Sequence, residues 1–295
     1  MGQSFVQSAQ NDTVATVSSL GKAFASNNTL NNLLWVGLIW DSASPDPTID
    51  DTLGNAFVPI VGPTAAPGTG GFKCQIFAVL KCKAGANTIT AHWGAPNPTF
   101  SGIYIHEETD SADRSNGFTL DQIKPGTGTS TNPASGNTPA TTIATEIVVG
   151  FAATDAGVVT ADATFNQREL GTNLSAVTED KFITSTGAQN ALFVDSTSSN
   201  WVALCATFFT AAVATGGLGV LPTFGSSWHP GRSPGLGGIS SARFRPSNWW
   251  PYSAPVVVTF DPATMVAMEK HGNDPLILPP QVVASGMTPP EQMPT

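Results

Sequence analysis

Charge is what this chain has least of. Only 11% of its 295 residues are Asp, Glu, Lys or Arg, less than half the ~25% of an ordinary soluble domain. The shortfall is not that of a disordered chain, which combines low hydrophobicity with high charge, because 41% of the residues are apolar. Gly, Pro, Ser, Thr, Ala and Asn fill the vacant share, as in thin β-structures with polar faces of Thr, Ser and Asn. A charge-poor surface also suits a chain packed against neighbours. Cysteine is scarce as well. Three residues, Cys74, Cys82 and Cys205, are too few and too odd in number for a disulfide framework. Cys74 and Cys82 fall in one expected strand, ~26 Å apart and beyond bridging distance. Cys205 lies in an apolar run and reads as a small core residue. Their spacing fits no zinc site. No apolar run reaches the ~18 residues of a membrane span.

The net charge of −9 is unevenly placed: residues 1–210 hold 17 acidic and 8 basic side chains, residues 211–295 four of each. No Lys/Arg cluster in the body is dense enough to neutralise several phosphates, so neither nucleic acid nor membrane is an expected partner. The opening Met1-Gly2-Gln3-Ser4-Phe5-Val6 has no basic region and no apolar run. It also places Val6 where a myristoylation signal wants Ser or Thr. The expectation is a chain made in a cytoplasm that stays soluble or assembled there.

Short β-like runs separated by Gly/Pro/Asn/Asp turns fill residues 1–210. Strands are expected over 4–6, 13–20, 32–40, 57–61, 72–83, 88–93, 102–106, 145–154, 158–165, 182–186, 191–195 and 201–212. The run from Asn32 to Trp40 is almost continuously apolar, as for a central strand buried on both faces. Residues 72–83 are expected to put Cys74, Ile76, Ala78, Leu80 and Cys82 on one face. Residues 127–142 read as a low-complexity loop. Roughly ten to twelve short strands without a convincing helix imply an antiparallel β-sandwich or jelly roll. No internal repeat at a fixed period is evident, which disfavours a solenoid or propeller.

Residues 211–295 differ in kind. They hold 13 of the 23 prolines, three of the five arginines and three of the seven tryptophans. No helical or strand period there is long enough to bury a core. Their candidate anchors are Trp228, His229, Arg232, Arg243, Phe244, Arg245, Trp249, Trp250 and Tyr252, the residue types that dominate interface energetics. Val256 to Phe260 reads as one more strand, able to pair with a sheet edge. The arm is therefore expected to dock on other copies of the chain, the competing reading being that it folds back on its own sandwich.

The motifs for chemistry are weak. Glu107 and Glu108 follow His106 at a strand end, but neighbours on a strand face opposite sides and cannot flank one bond, so they read as solvated loop charges. There is no Gly-x-Ser-x-Gly elbow, P-loop or dinucleotide fingerprint, and no cofactor is expected. His92, His106, His229 and His271 sit in no recognisable catalytic context. Asp41, Asp46, Asp50 and Asp51 lack EF-hand spacing and read as a plain acidic loop. Trp35 and Trp201 read as core. Trp40 and Trp93 end strands and are candidates for sugar stacking, with core packing the favoured reading.

Several phrases carry a resemblance: Ser4-Phe5-Val6-Gln7-Ser8; Asn32-Leu33-Leu34-Trp35-Val36 running to Trp40; Asp51-Thr52-Leu53-Gly54-Asn55; Ala84-Gly85-Ala86-Asn87-Thr88-Ile89-Thr90; and Glu179-Asp180 ahead of a closing 201–209. They resemble a β-sandwich module of tailed-bacteriophage structural proteins and bacterial surface proteins, over about residues 4–210. Leu53 departs from the polar residue usual in that turn. Pro230-Gly231-Arg232-Ser233-Pro234-Gly235 and Ala242-Arg243-Phe244-Arg245-Pro246 look like segments of phage virion proteins. The resemblance implies a non-enzymatic virion protein, a capsid-associated decoration protein or minor head or tail component, assembled in the host cytoplasm. Its partners would be its own copies and other virion proteins. The alternative is a carbohydrate-binding sandwich for host or cell-surface glycans. The expected organisation is a sandwich over 1–210 and a docking arm over 211–295.

Overall fold

The computed structural model describes residues 2–68, 71–110 and 116–210. Every regular element in them is a strand, and every pairing is antiparallel. The first half holds β1 (Gln3–Thr13), β2 (Ser19–Ala23), β3 (Leu33–Asp41), β4 (Thr48–Asp51), β5 (Val58–Ala65), β6 (Phe72–Val79), β7 (Thr88–His92) and β8 (Ser101–Asp110). The second holds β9 (Phe118–Ser130), β10 (Thr145–Thr154), β11 (Val159–Ala161), β12 (Asn166–Leu170), β13 (Ala176–Thr184), β14 (Phe193–Asp195) and β15 (Ser199–Thr210). The antiparallel all-β sandwich expected from the turn spacing is the fold observed.

Two five-stranded sheets, β1-β8-β3-β6-β5 and β12-β13-β10-β15-β9, face each other, and each carries a smaller sheet on its outer side, β2-β7-β4 and β11-β14. Three hydrophobic cores separate the four layers. The central one joins Leu33, Trp35, Ile39, Cys74 and Ile76 to Ile147, Val149, Phe151, Leu204 and Phe208. Leu34, Val36, Leu38 and Trp40 turn the opposite way, towards Ile89, Ala91 and Trp93. Val148, Ala152, Ala203 and Cys205 do the same in the second half, towards Val159 and Phe193. Because strand side chains alternate, a strand between two cores must be apolar on both faces. That is why β3 reads as an unbroken run. Gly37, in its middle, leaves room for the opposite sheet: a Cβ there would lie 2.9 Å from the Phe151 ring.

The two halves are topological duplicates. Replacing β1, β8, β3, β6 and β5 by β9, β15, β10, β13 and β12 converts one main sheet into the other, and the pair β4-β7 into β11-β14. The counterpart of β2 is the stretch whose Ala134 and Ala140 form single bridges to Leu192 and Ala188. The sandwich is thus two copies of one module packed through their main sheets, a duplication that no fixed sequence period announces.

Several elements differ from expectation. The expected strand over 13–20 is absent, because β1 pairs with β8 only as far as Thr13. There the Thr13 hydroxyl accepts the Ala15 N–H at 3.0 Å and turns the chain. The strand from Phe72 stops at Val79, so Cys82 joins the outer core while Cys74, Ile76 and Ala78 stay in the central one. Residues 118–130, whose last four fall in the expected low-complexity loop, form β9, paired along β15. As the edge of its sheet, β9 tolerates Pro125, which a central strand would not.

Candidate functional site

The ionisable groups buried in the sandwich gather around β8. His106, Glu107 and Glu108 are each 0% exposed, which overturns the reading of the two glutamates as solvated loop charges. The reason is register. β8 continues as a central strand, paired with β1 and β3, past the apolar Ile103-Tyr104-Ile105 run. The alternation argument does hold. Glu107 points outward, where it accepts hydrogen bonds from Gln7 Nε2 (2.7 Å), Asn28 Nδ2 (2.8 Å), the Thr29 N–H (2.7 Å) and Asn32 Nδ2 (2.6 Å). One carboxylate thereby fastens β1 and the 28–32 loop to β8.

His106 and Glu108 point inward, into the seam between the halves. Trp35, opposite His106 in the register, stacks on it with ring centroids 3.8 Å apart and planes 10° from parallel. Its Nε1 donates to Glu108 Oε1 at 3.4 Å. From the other half, buried Asp180 on β13 accepts Arg168 Nε at 2.8 Å and Asn166 Nδ2 at 3.1 Å. The Arg168 guanidinium lies 3.8 Å over the Phe5 ring. Burial, reinforced by the Asp180 charge, pushes the Glu108 carboxyl well above its usual range. Burial and the nearby Arg168 hold the His106 imidazole well below its usual range. The seam therefore combines one Asp–Arg ion pair with an imidazole and a carboxyl that burial pushes towards their neutral forms.

The seam continues as side-chain bonds between the halves. Ser8 Oγ donates to Glu169 Oε1 at 2.6 Å, and Gln10 Nε2 to Thr172 Oγ1 at 2.6 Å. Asp12 Oδ2 accepts the Asn173 and Leu174 N–H groups, both at 2.9 Å. In the outer core of the second half, burial lifts the Glu179 carboxyl to about 9. Lys181, lowered by burial, sits 4.2 Å over the Phe165 ring. These groups lock strands together.

The remaining candidates are dispersed. Asp41 bonds Thr99 and Ala43, Asp46 bonds Lys73, Asp50 bonds His92, and Asp51 bonds Asn55 and Asn87. The acidic loop thus has separate partners rather than a shared centre, and among the described residues no three His, Cys, Asp or Glu side chains group as a metal site. Trp35 and Trp40 are fully buried and Trp93 is 5% exposed. The large hydrophobics exposed among the described residues are all aliphatic. The three cysteines are free and buried, and burial pushes the thiols up, to about 12 for Cys82 and Cys205. A recess of about 190 Å³ is lined by Gly157, Val158, Leu170 and residues 171–175, none of which titrates.

The arm anchors Trp228, His229, Arg232, Arg243, Phe244, Arg245, Trp249, Trp250 and Tyr252 lie outside the described residues. What sequence reasoning missed is the seam. Its partners stand far apart along the chain, Trp35 73 residues from Glu108 and Ser8 161 from Glu169, and no local pattern joins them. No protein-family model, curated protein or solved structure matches the chain.

Proposed function

We propose that the protein is a non-enzymatic structural component that acts through subunit packing. By its resemblance to tailed-phage phrases, it is a decoration protein or minor head or tail component of a phage-like particle. The observation that carries this reading is where the ionisable groups are used. In the described sandwich, the buried carboxylates, the imidazole and Arg168 hold β1, β8, β12 and β13 together. A rigid two-module body sets a spacing. The arm, with its Trp, Tyr and Arg residues, supplies the chemistry of an interface. Light scattering on the full chain and on a chain ending at Thr210 tests it. The expected result is an oligomer for the first and a monomer for the second. Monomers in both cases sink the intersubunit role of the arm.

A further inference from the structure

The two main sheets have four lateral edges, and three of them are guarded against further pairing. β5 carries Pro59 and Pro63 and two register shifts. β9 carries Pro125. β12 is five residues long, has a register shift, and bears Arg168 and Glu169. Prolines, charges, bulges and shortness are the usual protections of an exposed edge. β1 differs. Its 11 residues include no Pro, Gly, Lys or Arg, and Gln3 to Asn11 carry no charge in a chain of net charge −9. Its one irregularity, the shift between Phe5 and Gln7, leaves Val6 40% exposed. Beyond β8, β1 pairs with no other strand among the described residues. The bonds from Ser8 to Glu169 and from Asn173 to Asp12 anchor this strand to the other half. An edge so held is a pre-ordered acceptor, with little entropy left to lose on pairing.

The arm contains a matching donor. Val256, Val257, Val258, Thr259 and Phe260 are its longest run of β-branched and aromatic residues, uncharged and set between Pro255 and Pro262. Such residues favour strands, and the flanking prolines limit the pairing to a short segment. The exit of the arm is also close to the edge. β15 ends at Thr210, whose hydroxyl donates to Asp110, and Asp110 is the register partner of Gln3 at the start of β1. The 45 residues between Thr210 and Val256 extend up to ~150 Å, enough to reach a neighbouring body. We infer that the outer edge of β1 accepts the segment from Val256 to Phe260 as an added sixth strand of the first sheet. Main-chain hydrogen bonds would supply affinity and alternate side chains specificity. The inference deepens the assembly reading and rests on it for the source of the strand, which is a second copy.

Disulfide trapping in the full chain tests both parts. Val6→Cys is combined in turn with Val256→Cys, Val257→Cys, Val258→Cys, Thr259→Cys and Phe260→Cys, with Val283→Cys as the control outside the segment. The native cysteines are buried and do not compete. Under mild oxidation, cross-linking is expected at alternate positions of the segment, at least tenfold above the control. Links between chains support the edge and its donation from a second copy. Links within one chain support the edge and overturn the intersubunit part. Yields no higher than at Val283, at all five positions, overturn the edge pairing itself, whatever the oligomeric state.

Discussion

Glu107 and Glu108 are adjacent on one strand and equally buried, yet they occupy opposite electrostatic worlds. On the outer face of β8, Glu107 meets four hydrogen-bond donors. On the inner face, Glu108 meets one long bond from Trp35, an orphaned imidazole and a second carboxylate. Burial and the neighbouring Asp180 carboxylate push the Glu108 carboxyl well above its usual range. The comparison teaches that burial alone does not define a role. The outer face ties strands together through hydrogen bonds to one carboxylate, and the seam through ring stacking and the Arg168–Asp180 pair.

The sharpest way to break the contrast is Glu107→Ala. It leaves Gln7, Asn28 and Asn32 amides and the Thr29 N–H without their acceptor in a buried setting. A loss of about 4 kcal/mol is expected in urea unfolding. A loss under 1 kcal/mol would show that water or another group replaces the carboxylate. Second in size is Arg168→Ala, which strips the charge partner from Asp180 in the seam. Arg168 keeps some exposure, so the loss is set at about 3 kcal/mol, the low end for a broken buried pair. Asp180→Asn placed on top of it should recover part of that loss, because no uncompensated charge then remains. Failure of this rescue would mean that Arg168 acts through its packing on Phe5.

The next test probes the Glu108 carboxyl by pH. The folded pKa of Glu108 is raised, so its contribution is fully present below the unfolded value of about 4.5 and is lost as pH rises through the folded value. Glu146, lifted to about 7, and Glu179, lifted to about 9, act in the same direction. Urea midpoints of the parent should therefore fall as pH is raised from 5 to 9. Each group that still holds its proton when folded adds a slope of about 1.4 kcal/mol per pH unit. Glu108→Gln should match the parent near pH 5 and become progressively more stable than it towards pH 9. Parallel curves for the two proteins would remove the protonated Glu108 from the seam.

How much of this was legible in the sequence depends on whether the cause is local. The double burial of β3 was legible, since Leu33 to Trp40 reads as one apolar run whichever sheet it joins. β9 was not, because Asp121, Lys124, Pro125 and three Thr make an edge strand look like a loop. Only its pairing with β15 reveals it. The duplication was hidden for the same reason: it lies in strand order, while the paired strands share few residue identities. The seam was the least legible part. Glu108, Asp180 and Arg168 come together through the packing of two modules, and an isolated His-Glu-Glu triplet looks like any charged strand end.

The smallest expected effect, and the finest test of the seam, is His106→Phe. Both ring nitrogens of His106 are without hydrogen-bond partners, and its flat contact with Trp35 needs only an aromatic face. The substitution should therefore change stability by no more than about 1 kcal/mol at pH 7.5, where the imidazole is neutral folded and unfolded alike. The sign of the pH effect is opposite to that of Glu108. Because the folded pKa of His106 is depressed, stability present above about 6.5 is lost as pH falls, the unfolded chain taking up a proton that the folded one refuses. The variant has no such group. Its advantage over the parent should open below pH 6.5 and grow towards pH 5, measured as the difference in urea midpoint at each pH. A difference that stays constant across this range would mean that His106 titrates in the fold as it does in water. A large loss at pH 7.5 would mean that its nitrogens carry hydrogen bonds after all.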